Sequence, residues 1–117
     1  MIAKILITLI ALLHVYFLVL EMFLWDKPAG MKAFGNNAEK AKLTKVLAQN
    51  QGLYNGFLAA GLIWSLLAPA VYATALANFF LACVLVAGIY GGITASKKII
   101  YIQALPALLG LIVVNLV

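Results

Sequence analysis

Residues 2–25 form an apolar run long enough to cross a bilayer, yet they contain a carboxylate, Glu21, seven residues after the chain's one histidine, His14. No other long apolar stretch of this chain holds an acidic residue. A charge at such a depth costs about 2.5–3.5 kcal/mol on insertion scales. Residues of this kind face a protein interior and carry either a function or a hydrogen-bonding partner. A transmembrane helix needs about 20 mainly apolar residues. Three further stretches, 46–67, 71–94 and 99–116, meet or approach that length. No small-x-small cleavage site follows the first run, so it reads as an uncleaved span.

Composition agrees. The 117 residues are 67% hydrophobic and 9% charged, with a mean hydropathy of +1.13. Soluble domains average about half apolar and a quarter charged. A water-soluble fold of this kind would lack polar surface, so the sequence predicts an integral membrane protein. One chain of this size makes a single domain. Its eight basic residues are all lysines, seven outside the apolar stretches and Lys4 at the start of the first, and the net charge of +5 is not a nucleic-acid signature. The single cysteine, Cys83, offers neither an internal disulfide nor a redox pair and reads as a small core residue.

The predicted fold is all-α, an antiparallel bundle of four transmembrane helices at about 2–25, 37–67, 71–94 and 99–116. Short links after the second and third helices force neighbours to pack side by side. The first link holds most of the charge. Pro28 and Gly30 predict a turn there. Asn36, three residues before Glu39, resembles a capping-box start. From Ala38 a long rod then runs into the membrane. Lys27, Lys32, Lys40, Lys42 and Lys45 lie in the first link and Lys97 and Lys98 in the third, against Lys4 on the other side. This bias puts both lysine-bearing links in the cytoplasm and both termini outside. Trp25, Trp64, Tyr72 and Tyr101 read as interface anchors.

His14 and Glu21 share one helix face, about 10 Å apart along the axis. The second helix offers Gln51 and Asn55 at similar depth, the third Tyr90 and Thr94, and the fourth Gln103. Pro106 cannot donate a backbone hydrogen bond, which frees the Ile102 carbonyl beside Gln103. Two readings follow. In one, His14, Glu21, Gln51, Asn55, Tyr90 and Gln103 line a polar pocket near the cytoplasmic side that binds or transports a small molecule. In the other, Gln51, Asn55 or Gln103 satisfies Glu21 and fixes the helix register in a structural or accessory subunit. Asn78 and Asn115 lie toward the outer side and receive no role. Gly52-x-x-x-Gly56 and Gly88-x-x-x-Gly92 are small-x3-small patterns that permit close helix approach, here read as contacts within the chain.

Several signals are missing. The sequence has no phosphate-binding glycine loop, and Ser65 and Ser96 are far from His14. A metal shared by His14 and Glu21 would lack ligands. No cofactor is implied. Catalysis has one remaining route, Glu21 as a general acid or base toward a lipid-like substrate.

The stretch HVYFLVLEMFLW (14–25), the run Gln49-Asn50-Gln51-Gly52-Leu53-Tyr54-Asn55-Gly56, then Gly88-Ile89-Tyr90-Gly91 and Gln103 with Pro106-Ala107 resemble the small bacterial membrane proteins grouped as domain of unknown function 1304. The resemblance implies a four-helix protein of the bacterial inner or plasma membrane and carries no assigned activity. Small multidrug transporters also have four helices and a glutamate in the first, but their motifs around it are missing here. Dual insertion of the kind many of them show needs a weak lysine bias. The seven-to-one bias here argues against an antiparallel dimer and leaves a parallel homodimer open.

Overall fold

The computed structural model describes residues 1–116, and every regular element among them is helical. The elements are α1 (Ile2–Met22), α2 (Pro28–Phe34), α3 (Ala38–Leu67), α4 (Ala70–Thr94), a single π turn (Ile100–Ala104) and α5 (Leu105–Leu116). Contacts divide the chain into two compact units, one of Met1–Ala11 with the chain from Leu58 on, the other of Leu12–Phe57.

The all-α reading holds. Among the described residues, α1 and α4 are the two helices long and apolar enough to cross a membrane. α3 has 30 residues, but Glu39, Lys40, Lys42 and Lys45 occupy its first turns. The apolar segment Ile100–Leu116 is shorter than a full crossing. Of the four spans predicted from hydropathy, two satisfy both conditions among the described residues.

The first unit is built on a dry core. Ile7, Ile10 and Ala11 of α1, Leu62 of α3, Ala77, Leu81 and Val84 of α4, and Ala107 of α5 form one buried cluster. α4 meets the π turn through Gly88. A methyl group at Gly88 would lie 2.5 Å from the Ala104 nitrogen and 2.8 Å from its Cα. The second small-x3-small pattern is thus a backbone contact within the chain, and only glycine permits it. The π turn precedes Pro106, which has no N–H to donate. The chain widens there, and the Leu105 N–H donates to the Ile100 carbonyl, five residues back. Asn78 and Asn115, given no role from sequence, form a reciprocal amide pair between α4 and α5, with N···O distances of 3.1 and 2.6 Å.

The second unit contains a helix that hydropathy does not reveal. Pro28 and Gly30 do not make a turn. Pro28 opens α2, where its fixed φ suits the first helical position. Gly30 is buried against the Leu24–Trp25 backbone, and Gly35 closes the helix at φ 67°. The cap of α3 is also shifted by one residue. Asn37 Oδ1, not Asn36, accepts the Lys40 N–H at 2.8 Å. Two clasps join the end of α1 to the start of α3. Trp25 Nε1 donates to Thr44 Oγ1 at 3.0 Å, and Lys45 Nζ donates to Asp26 Oδ2 at 2.9 Å. Trp25 also packs on Phe34, with ring centroids 4.8 Å apart, so it is tied into the protein as well as amphipathic.

Two predictions follow from this architecture. Gly88→Ala should lower stability by about 1–3 kcal/mol, as overpacking does, in thermal melts of the detergent-solubilised protein. Gly91→Ala should cost less, because the added methyl would meet only movable side-chain atoms of Ile99. Equal melting points for the two variants would remove the Gly88 contact from the account. The second concerns Asp26, whose carboxyl is held below its ordinary value near 3.8 chiefly by the hydrogen bond from Lys45. The folded-state value is the lower one. The clasp therefore contributes above the unfolded value and is lost as pH falls through the folded one. Both partners are partly exposed, so the contribution is small. Melting curves of wild type and Asp26→Asn should converge as pH drops below about 4 and separate above it.

Candidate functional site

The site assembles on the inward stripe of α3. Ala41, Ala48, Gly52 and Asn55 are buried, at a spacing of seven, four and three that keeps one face of a helix toward a neighbour. Gly52 lets α1 come close. A methyl there would meet Met22 Cγ at 2.5 Å, Glu21 Cβ at 3.1 Å and the Leu18 carbonyl oxygen at 3.2 Å. This approach brings Glu21 within reach of Asn55, one turn further along α3. Asn55 Nδ2 donates to Glu21 Oε1 at 2.5 Å. Glu21 is 5% exposed and Asn55 8%.

His14 lies two turns earlier on α1 and is fully buried. Its ring meets Phe17 edge to face at 5.6 Å. A carboxyl and an imidazole are thus both buried, on one helix, seven residues apart. Among the described residues, no three His, Cys, Asp or Glu side chains gather as a metal site.

The six candidate residues take different places. Glu21, His14 and Asn55 are buried in the second unit. Gln51 belongs to the same unit but is exposed, at the edge of the α3 stripe rather than within it. Of the three amides the sequence offers to Glu21, Asn55 makes the hydrogen bond. Tyr90 and Gln103 belong to the first unit. Tyr90 is 69% exposed on α4, and its carbonyl accepts the Thr94 hydroxyl at 2.7 Å. Gln103 sits in the π turn.

Sequence reading also passed over contributors. Thr44 and Phe34 drew no mention from the sequence, although they hold Trp25 just past the end of α1. The spacing Ala41, Ala48, Gly52, Asn55 was a usable signal. It marks the inward stripe and separates Asn55 from Gln51.

Comparisons with known proteins add family membership without an activity. The family model described as "Protein of unknown function (DUF1304)" matches residues 8–115. An "Uncharacterized protein YpaA" from Lactococcus lactis subsp. lactis (strain IL1403) is 34% identical over 106 residues, covering 89% of this chain and 88% of that protein. No solved structure matches. The matched region takes in α1 from Thr8 on, with His14 and Glu21, the whole of α3 and the Gly88–Ala104 contact, and by this match the chain belongs to the DUF1304 family.

Proposed function

We propose that this is a multi-pass membrane protein in which the Glu21–Asn55 hydrogen bond fixes α1 against α3. The observation that carries the reading is a carboxyl 5% exposed and hydrogen-bonded to an amide, on a helix long and apolar enough to cross a membrane. Only 22% and 17% of the most apolar windows of α1 and α4 are buried within the chain. The core helix of a water-soluble protein would be mostly covered. Lipid is the medium that suits the rest, including exposed Ile5, Leu9, Leu12 and Phe79. In this reading the apolar part of α3 and the segment Ile100–Leu116 make two further crossings. The lysine-rich links lie in the cytoplasm. The protein then serves as a structural or accessory subunit rather than as an enzyme.

A second reading, binding or transport of a small molecule, is favoured by one comparison within the molecule. Asn78 and Asn115 join two helices with amides alone. A lock therefore needs no carboxyl, and an acidic side chain near a buried His14 suits a cationic or proton-coupled ligand. Glu21, His14 and Asn55 would hold it, with Gln51 as the outer candidate of the same unit.

The two readings separate on one pair of variants. Glu21→Gln keeps an acceptor for Asn55 and should retain most stability. Glu21→Ala should lose about 1–2 kcal/mol, the range for interhelical hydrogen bonds in membranes, in melts of the reconstituted protein. If both variants melt like wild type, the lock is excluded. Uptake of a lipophilic organic cation into proteoliposomes, lost in Glu21→Gln with stability intact, would establish the transport reading in its place. Topology has its own measurement. In a Cys83→Ala background, Ser96→Cys should react with an impermeant thiol reagent from the cytoplasmic side and Ala68→Cys from the opposite side. Labelling of both from one side would overturn the four crossings.

A further inference from the structure

We infer that the lysine-bearing segment between Asp26 and Lys45 is a docking surface for the headgroups of anionic lipids. The inference rests on the membrane reading above and goes beyond it by naming the lipid class. The segment holds five lysines against two carboxylates, Asp26 and Glu39. One pair is internal: Lys45 is bonded to Asp26. Lys27, Lys32, Lys40 and Lys42 are exposed and make no ion pair among the described residues. Lys27 comes five residues after the end of α1. Basic clusters of this size immediately beside a span attract anionic lipids, and the attraction falls off within a Debye length.

A second observation distinguishes a lipid surface from other polyanions. Large apolar side chains stand exposed among these lysines. Phe34 is 39% exposed, Leu43 78%, Val46 68% and Leu47 71%. Nucleic acid or an acidic protein tail would leave Leu43 and Leu47 in water. A bilayer boundary offers anionic headgroups and hydrocarbon side by side, the mixture that a lysine-and-leucine surface matches. The clasps supply pre-organisation. Trp25–Thr44 and Asp26–Lys45 tie both ends of the segment to the base of α1. The charges are therefore held at the membrane surface rather than carried on a free loop.

Trp25 provides the reporter. In the full chain carrying Trp64→Phe, Trp25 is the remaining tryptophan. Its fluorescence is measured in vesicles containing brominated phosphatidylglycerol or brominated phosphatidylcholine. Phosphatidylglycerol should quench more strongly, with a preference of about fivefold per contributing lysine at low salt. High salt should erase the preference, as should the triple variant Lys32→Gln, Lys40→Gln, Lys42→Gln. These lysines are exposed and unpaired, so an unchanged melting point confirms that the variant is folded. Equal quenching by the two lipids overturns the inference and leaves the membrane reading standing. No quenching by either lipid overturns both. Loss of the preference on adding inorganic phosphate, with chloride at matched ionic strength as control, would reassign the surface to a free anion and overturn the lipid assignment.

Discussion

The hydrogen bond between Asn55 and Glu21 is the constraint around which the second unit is organised. A carboxyl removed from water needs a donor, because its desolvation is otherwise uncompensated. That need sets the distance between α1 and α3 at this level. The distance in turn requires a residue without a side chain where the helices touch, and Gly52 supplies it. Ala48 and Ala41 continue the same small-residue stripe toward the start of α3. The polar contact and the glycine contact are thus two aspects of one approach.

The sequence showed the helical class, the anomalous carboxyl and the asymmetric lysines because each follows from one-dimensional information. Apolar length, a lone acid and a count of charges need no partner to be visible. What depended on three dimensions was less legible. Gln51 and Asn55 looked equivalent at four residues' spacing, and only the helix azimuth places one inside and the other at the rim. α2 was hidden because Pro28 and Gly30 signal a turn in isolation, whereas a proline at the first position and a left-handed glycine after the last also describe a short helix. Asn78 and Asn115 are 37 residues apart and pair only because α4 and α5 are antiparallel neighbours.

The two units use different chemistry for a similar purpose. The first relies on interdigitated aliphatic side chains around Leu81 and Leu62, with its amide pair exposed near the end of α5. The second has fewer large buried aliphatics and relies on polar fasteners: the acid–amide bond, the Trp25 indole on Thr44 and the Asp26–Lys45 ion pair. Packing of the first kind is indifferent to acidity and salt. The second kind responds to both, so the lysine-rich part of the molecule is also the part most sensitive to its ionic surroundings.

The π turn has a structural corollary. A π turn closes its ring over one residue more than an α turn. Removing a single residue from Ile100–Ala104 would restore ordinary helical winding and leave the flanking segments nearly in phase, because the wide turn already absorbs the extra residue. What would change is local: the widened backbone that meets Gly88 at Ala104 would narrow. The extra residue is therefore spent on girth rather than on direction, at the one level where a neighbouring helix has no side chain to be displaced.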